Sequence, residues 1–320
     1  MNWNRFLLLW LPAALLILGL MAELLARALD PVPLRRQDVD LLVVAIERME
    51  SKATIVLGGD SVTQDAAKTY RLGALGMVAN LTTNQASGVI GLRLLLDRYL
   101  ARHEAPYHLV IAATPEFLGY EPEGRAAKVY VSSVFRRPEE QTLLARFIPP
   151  ESWRPAALAV QDRLWEPLVS LAAPEPRSWP GGEAEPDQTV LEPAPAPAGV
   201  ASQITGRAAK RLGLSPSTQD SLRAICSQAL RHNFTLHLLW APMPESLAVL
   251  RRERRDFDAL EAALAPVLAD CPRVERVDIN TLASFPDHAF RDADHLRRPG
   301  WTARYAFLLK EYLARFTPAR

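Results

Sequence analysis

Short apolar runs that alternate with amphipathic helical stretches constrain the fold of this 320-residue chain more than any other feature. Residues 54–57 form a β-rich apolar run that fits a strand buried on both faces. The other predicted strands are residues 77–81, 108–113, 235–240 and 274–279. Strands that alternate with helices predict a parallel sheet covered on both faces, which is a three-layer α/β/α domain. In such folds ligands bind beyond the carboxyl ends of the strands.

The helical periodicity also indicates where the domain is interrupted. Helices are predicted at 37–49, 62–70, 88–102, 139–148, 155–171, 218–231, 246–268 and 301–316. Residues 174–199 are rich in Pro, Ala, Gly and Glu without an apolar period, which predicts a flexible or polyproline-like insertion. We therefore divide the chain into an N-terminal segment, 1–30, and one α/β domain, 31–320, with the insertion near 172–199.

The N-terminal segment contains an almost purely apolar run at residues 6–25, with Glu23 as its one charge. A run of about 20 such residues in a helix is long enough to cross a bilayer core. We favour an uncleaved transmembrane anchor over a signal peptide cut at 26–28, because Glu23 and Arg27 stand where small neutral residues are expected. More arginines follow the run than precede it, which favours a cytoplasmic domain, although large domains translocate despite such counts.

Composition restricts the class of partner. The chain has 37 Lys and Arg and 36 Asp and Glu, and its net charge of +1 argues against binding nucleic acid. Residues 251–255, Arg-Arg-Glu-Arg-Arg, fit a solvated helix face, and docking of an anionic polymer or lipid headgroups is the alternative.

The two cysteines, Cys226 and Cys271, are too few for a zinc site. They form a disulfide if the domain is exported, but the sequence favours two small buried hydrophobic residues.

A serine after the first strand is the first candidate for chemistry. Residues 54–61 read Thr-Ile-Val-Leu-Gly-Gly-Asp-Ser, in which Gly58 and Gly59 predict a sharp turn that admits a substrate and Asp60 supports it. Ser61 begins the next helix, either as the cap of that helix or as a nucleophile whose oxyanion the helix N–H groups stabilise. The neighbouring residues favour the nucleophile, and the two roles are compatible.

A serine nucleophile needs a base, and the base needs a carboxylate that fixes its tautomer. Residues 290–296, Phe-Arg-Asp-Ala-Asp-His-Leu, supply both. His295 is the predicted base and Asp292 the predicted orienting carboxylate, with Asp294 as the second choice. His288 is a rival base that lacks the leucine and the helical pattern that follow His295.

Two blocks carry a family resemblance. Gly59-Asp60-Ser61 and Asp292-Ala293-Asp294-His295, in this order, resemble the nucleophile block and the Asp-x-x-His block of the SGNH (GDSL-type) hydrolase superfamily. The resemblance covers residues 50–120 and 234–318. It implies a flavodoxin-like parallel sheet and serine-dependent acyl chemistry without a cofactor or metal. In that chemistry His295 takes the proton of Ser61.

The oxyanion hole is where the chain departs from the superfamily. The glycine of the second block aligns with Gln85, and the asparagine expected after the third strand is replaced by Thr114-Pro115-Glu116-Phe117. Loss of one oxyanion donor typically lowers the rate by about two to three orders of magnitude. The donors that the resemblance then implies are Ser61, Gln85, Asn84, Thr83 and Thr114.

The proline after the third strand, the Asp-x-Asp-His-Leu block and the N-terminal apolar helix are similar to one branch, the alginate acetylation and teichoic-acid D-alanylation proteins. This implies a single-pass inner-membrane protein with a periplasmic or extracellular domain. It would work beside a membrane-bound O-acyltransferase, by acyl transfer or ester hydrolysis on a glycan or acylated polymer. The missing asparagine favours the alternative, a non-catalytic scaffold or binding subunit. A lipase or thioesterase for small substrates is a third reading, which gives no reason for an anchor.

Overall fold

A computed structural model describes residues 10–29, 52–69, 77–123, 128–132, 134–148 and 199–316, with a few isolated positions outside these ranges. The chain forms two compact units, residues 1–37 with 149–179 and residues 38–148 with 180–320. In the first unit the described part is mainly helix α1, Leu11–Leu29. Within the described ranges, no helix combines the length and the apolar character that crossing a membrane requires. Most of the predicted segments 37–49, 155–171 and 172–199 lie outside the described residues.

The second unit is built on a parallel sheet of five strands in the order β2-β1-β3-β4-β5. This is the flavodoxin-like order. The strands closely match the predicted runs and are β1 Ile55–Gly59, β2 Val78–Thr82, β3 His108–Ala113, β4 Thr235–Trp240 and β5 Val274–Asp278. The described helices are α2 Ser61–Thr69, α3 Gly88–Leu100, α4 Glu116–Gly119, α5 Pro138–Leu144, α6 Val200–Ala209, α7 Pro216–His232, α8 Glu245–Glu253, α9 Asp256–Leu268 and α10 Gly300–Ala314.

Helices cover both faces of the sheet, as the alternation of apolar runs and helices predicts. Successive side chains of a strand point to opposite faces, so each strand contributes to two cores. On β3, Leu109 and Ile111 join the core that contains residues of α3, α7 and α9. Val110 and Ala112 join the core that contains residues of α2 and α10. The arrangement is therefore three layers, α/β/α.

Gly59 is required by close packing and not by a turn, which corrects the interpretation drawn from the sequence. Both Gly58 and Gly59 lie within β1, and neither has a positive φ. A Cβ on Gly59 would stand 2.0 Å from the backbone oxygen of Ala112 on β3, and one on Gly58 would stand 2.5 Å from the side chain of Leu92. The glycines let the central strand approach its neighbours, and the turn begins after them.

The prediction of one long helix over 246–268 is wrong. Helix α8 ends at Glu253 and α9 begins at Asp256, and between them Arg255 adopts the left-handed conformation with φ 54°. Apolar periodicity does not reveal such a break, because it depends on a polar contact. The bend brings the Arg251 guanidinium to the Asp256 carboxylate, with Nη1 2.8 Å from Oδ2.

The arginine run at 251–255 is also not the uniform solvated face that the sequence predicts. Arg252 and Arg255 are exposed, but the Arg251 side chain is only 1% exposed. Its charge is balanced by two buried or nearly buried carboxylates, those of Asp256 and Glu116. Arg251 is therefore an internal cation of the domain.

Cys226 on α7 and Cys271 before β5 form a disulfide. The sequence left this pairing open and favoured two separate buried hydrophobic residues, so that preference is wrong. The bridge connects α7 to the segment that leads into β5, the strand at one edge of the sheet.

Candidate active site

The turn after β1 is organised by Asp60. Its buried carboxylate accepts hydrogen bonds through Oδ1 from the backbone N–H groups of Val62 (3.1 Å) and Thr63 (3.3 Å). Asp60 thus caps α2, and the alternative role of Ser61 as the cap is excluded by this geometry. Through Oδ2 it accepts bonds from the N–H (2.8 Å) and the hydroxyl (2.7 Å) of Thr114, which follows β3. Burial raises the pKa of Asp60, and the hydrogen bonds from Thr114 and Thr63 oppose this.

Ser61 is the first residue of α2, and its side chain contacts His295. The Ser61 Oγ lies 2.9 Å from His295 Nε2, although the two residues are 234 positions apart in sequence. The partly buried Ser61 hydroxyl is therefore within hydrogen-bond reach of a base.

Asp292 holds the other ring nitrogen of that base. His295 Nδ1 lies 3.0 Å from both Asp292 Oδ1 and Asp292 Oδ2. Because a carboxylate only accepts hydrogen bonds, Nδ1 carries the proton and Nε2 of the neutral ring accepts the Ser61 hydroxyl. The structure thus brings together the three residues that the sequence proposed as catalytic.

The loop that carries Asp292 and His295 is closed on itself and anchored at both ends. Phe290 and Leu296 form an isolated antiparallel bridge, and both side chains are buried. Asp292 Oδ1 also accepts the backbone N–H groups of His295 (2.7 Å) and Asp294 (2.9 Å). The carboxylate is therefore fixed by the loop that it serves.

The electrostatics of the pair favour a charged imidazole. The hydrogen bond that His295 donates to Asp292 raises the pKa of His295 above its ordinary value, while burial opposes the rise. Burial also disfavours the ionised form of Asp292, but hydrogen bonds from the ring and backbone of His295 outweigh it and hold the pKa of Asp292 below its usual range. Proton transfer from Ser61 to His295 is assisted by this pairing.

The residues that the sequence offered as alternatives to Asp292 and His295 have other partners. Asp294 forms an ion pair with Arg207 of α6. His288 packs edge-on against Trp301, with ring centroids 5.6 Å apart. His108 at the start of β3 pairs instead with His237 of β4, with Nδ1 of the first 3.0 Å from Nε2 of the second.

Some of the candidate oxyanion donors already donate hydrogen bonds within the protein, and others do not. Both donors of Thr114 are used by Asp60, and the Thr83 hydroxyl bonds Ser87 and the Asn84 carbonyl. The Asn84 Oδ1 accepts the N–H of Ala86 at 2.9 Å. Among the described residues, no hydrogen-bond partner is present for the N–H groups of Ser61 and Gln85 or for the Asn84 Nδ2.

The β1 and β2 loops that carry these donors lie side by side. Gly59 pairs with Thr82 in the sheet, and the Thr83 N–H donates to the Gly59 carbonyl at 2.9 Å. Ser61 and Asn84 therefore follow the ends of adjacent strands.

Sequence reasoning missed the residues that support the site from behind. Thr63 Oγ1 lies 2.8 Å from the buried Tyr305 hydroxyl, which connects α2 to α10. Gln203 and Arg207 of α6 contact the loop of Asp292 and His295. No local motif indicates these contacts, because each joins segments that are distant in sequence. In the described part of the chain, no group of three or more His, Cys, Asp or Glu side chains is arranged to hold a metal ion.

Comparisons with known proteins add little to the geometry. No protein-family model matches the chain, and no curated protein matches it. Among solved structures, the chain is similar to a Streptococcus pneumonia protein described as a candidate platelet activating factor. The sequence identity is 13% and the TM-score 0.43, over 90% of this chain and 97% of that chain. A likeness of this size does not establish a family or an activity.

Proposed function

We propose that the chain is an SGNH-type serine-dependent acyl-transfer enzyme or esterase. The observation that carries this proposal is the series of contacts from Ser61 through His295 to Asp292, with Oγ to Nε2 at 2.9 Å and Nδ1 to the carboxylate at 3.0 Å. A hydroxyl, an imidazole and a carboxylate in this order activate a serine for attack on an acyl carbon. Asp60 supports the same site, since it fixes the turn from which Ser61 projects.

The reaction has two halves. Ser61 Oγ attacks the acyl carbonyl carbon while His295 Nε2 takes its proton, and the tetrahedral intermediate forms. The C–O bond to the leaving alcohol then breaks as His295 returns the proton to that alcohol, which leaves an acyl-serine. In the second half, water or a sugar hydroxyl attacks the acyl-serine while His295 takes the proton of the attacking group. The bond between the acyl carbon and Ser61 Oγ then breaks as His295 returns the proton to Ser61. Water gives hydrolysis and a sugar hydroxyl gives transfer.

The oxyanion donors that we assign are the Ser61 N–H, the Gln85 N–H and the Asn84 side-chain amide. The first lies at the positive end of α2, which favours a developing negative charge. The others lie at the start of the 3₁₀ helix Gln85–Ser87. In this proposal Asn84 replaces the asparagine that the superfamily has after its third strand, because Thr114 is occupied by Asp60.

We further propose that the chain is anchored in the inner membrane and that its α/β domain is exported. The apolar run at 6–25 supports the anchor, and large apolar side chains of this run are exposed, among them Leu16 at 68% and Leu24 at 66%. The disulfide between Cys226 and Cys271 supports export, since disulfides persist in oxidising compartments.

The substrate class and partner follow from the resemblance to polymer-acylation proteins. We propose a cell-surface or exported polysaccharide as substrate, and a membrane-bound O-acyltransferase as the partner that delivers the acyl group. The alternative is a scaffold subunit on a degenerate SGNH fold. The occupation of both Thr114 donors favours this alternative, because it removes one potential oxyanion donor.

Hydrolysis of p-nitrophenyl acetate by the purified full chain tests the proposal. We expect turnover that Ser61→Ala abolishes and that Ser227→Ala, an exposed hydroxyl on α7, leaves unchanged. Cells that carry Ser61→Ala at matched protein level should also lose polymer acylation. Unchanged acylation in these cells would exclude covalent catalysis by Ser61 and leave the scaffold.

A further inference from the structure

We propose that Arg207 of α6 is a positioning residue for His295. It holds the loop that carries Asp292 and His295, and it neutralises the Asp294 carboxylate beside the base. The inference rests on the proposed function in so far as His295 is the catalytic base. Helix α6 thus supports the site, although no sequence motif connects the two.

Helix α6 contacts the loop of Asp292 and His295 through a hydrogen bond, an ion pair and an apolar contact. Gln203 Oε1 accepts the Ala293 N–H at 3.1 Å, and the Arg207 guanidinium pairs with Asp294 Oδ2. The Ala293 side chain packs in a small apolar cluster with the α6 residues Val200, Ile204 and Ala208 and with Leu247 of α8. Ala293 is thus fixed by a hydrogen bond to its backbone N–H and by packing of its methyl group, and Asp294 is fixed by an ion pair. These are the two residues that separate Asp292 from His295.

The far end of α6 is held by Arg251. Arg251 Nη2 donates to the Arg207 carbonyl at 2.9 Å, and Nη1 donates to the Lys210 carbonyl. A cation at a helix C-terminus stabilises its unpaired carbonyl groups. The same guanidinium bonds Glu116, 2.9 Å away, which lies two residues beyond the Thr114 that holds Asp60. Contacts therefore run from the serine turn through Arg251 and α6 to the histidine loop.

The charges that face His295 make this role measurable. The charges that act on His295 are those of Asp292, Arg291 and Asp294, all on its own loop. Asp294 in turn acts on the buried Asp60 at the serine turn and pairs with Arg207 of α6. Asp294 stabilises both the imidazolium and the protonated form of Asp60. Arg207 offsets this negative charge, since its guanidinium is paired with Asp294.

Removal of Arg207 and removal of the Asp294 charge should therefore shift the His295 pKa in opposite directions. Without Arg207, the unbalanced Asp294 charge favours the imidazolium, and the His295 pKa rises. Without the Asp294 charge, the cation of Arg207 remains and the His295 pKa falls. The double variant Arg207→Met with Asp294→Asn should restore a value close to that of the parent. A residue that only stabilised the fold would not produce two opposite shifts.

The experiment is a histidine NMR titration of the full chain, with His295 assigned by loss of its signal in His295→Gln. We expect an upward shift in Arg207→Met, a smaller one in Arg207→Lys, and a downward shift in Asp294→Asn. Arg223→Met, an exposed cation on α7, is the matched control and should show none. The rate of fluorophosphonate labelling at neutral pH should also fall about tenfold in Arg207→Met, because the base is displaced.

Shifts that are absent in both Arg207→Met and Asp294→Asn, or that have the same sign, would overturn the proposal. If Arg207→Met does not fold, Asp294→Asn and Arg207→Lys decide by the same criterion. The titration does not require turnover. A parent protein that is not labelled at Ser61 would therefore contradict the proposed function while the titration still tests the role of Arg207.

Discussion

At the scale of single residues, one carboxylate decides which nitrogen of His295 acts as the base. Asp292 contacts Nδ1 through both oxygens and also accepts two backbone N–H groups of its own loop. It cannot turn away without losing these bonds. The proton is therefore kept on Nδ1, and Nε2 is left to accept the proton of Ser61.

The raised pKa of His295 predicts an acid limit to activity. The base works only in its neutral form, so kcat/KM should fall as the pH decreases through the His295 pKa, at a midpoint above the ordinary value of 6.5. The dependence of p-nitrophenyl acetate hydrolysis on pH measures this midpoint. In Asp292→Asn the largest cause of the rise is lost and burial remains, so the midpoint should move to lower pH. A midpoint that does not move would contradict this assignment.

The two aspartates of the loop should differ in their effect on rate. Asp292→Asn should lower kcat by about 10⁴, because an amide can hold the wrong tautomer of the histidine. Asp294→Asn should be much milder, since Asp294 pairs with Arg207 and not with the His295 ring. His288→Ala should have almost no effect, because His288 packs on Trp301. A greater loss in Asp294→Asn than in Asp292→Asn would reverse the assignment.

The arrangement of Ser61, His295 and Asp292 was predictable from sequence, because short motifs follow strands whose ends meet at one sheet edge. The cap of α2 was predicted less well. Asp60 and Ser61 both have the composition of a cap, and the hydrogen bonds that Asp60 accepts from the Val62 and Thr63 N–H groups separate them. The sequence leaves Thr114 among the oxyanion candidates, because Asp60, which occupies both of its donors, lies 54 positions away in the chain.

At the scale of secondary structure elements, the break between α8 and α9 is a feature that apolar periodicity does not encode. Strands β1 to β4 were predictable because they are mainly apolar runs, whereas β5 is a partly exposed strand with charged residues. The break between α8 and α9 was not predictable, since it depends on an arginine that turns inward to meet two acids. A run of arginines has the same composition whether it faces water or the core.

Arg251→Met should therefore destabilise the domain strongly. It leaves the Asp256 carboxylate, which is fully buried, with only its partners Arg211 and Arg254, and it frees Glu116. Removal of one partner of a buried ion pair typically costs about 3–5 kcal/mol. Urea unfolding of the full chain measures the loss of free energy of unfolding. Arg252→Met, on the exposed side of the same helix, is the control and should change stability by less than about 0.5 kcal/mol. Equal losses of stability in the two variants would contradict the claim that the buried ion pairs of Arg251 stabilise the domain.

At the scale of the whole molecule, the sheet and its two helical layers followed from the alternation of strands and helices. The disulfide did not, because two cysteines give no information about their distance in space. Cys226 and Cys271 become neighbours only when α7 and β5 are placed beside one another.

The proposed anchor predicts that the N-terminal segment remains on the mature protein. Glu23 and Arg27 stand where a cleavage site needs small neutral residues, so cleavage at 26–28 is disfavoured. Mass spectrometry of the protein isolated from membranes should find a peptide that begins at Met1 or Asn2. A mature N-terminus near Leu29 would show instead that the run is a signal peptide.

The most direct test of the central claim is the site at which a fluorophosphonate probe reacts with the folded full chain. If His295 and Asp292 activate Ser61, peptide mapping by mass spectrometry should locate one adduct on Ser61. Ser61→Ala should abolish this adduct, and Asp292→Asn should slow its formation. A folded parent protein without an adduct, or an adduct that persists in Ser61→Ala, would contradict the claim that Ser61 is an activated nucleophile.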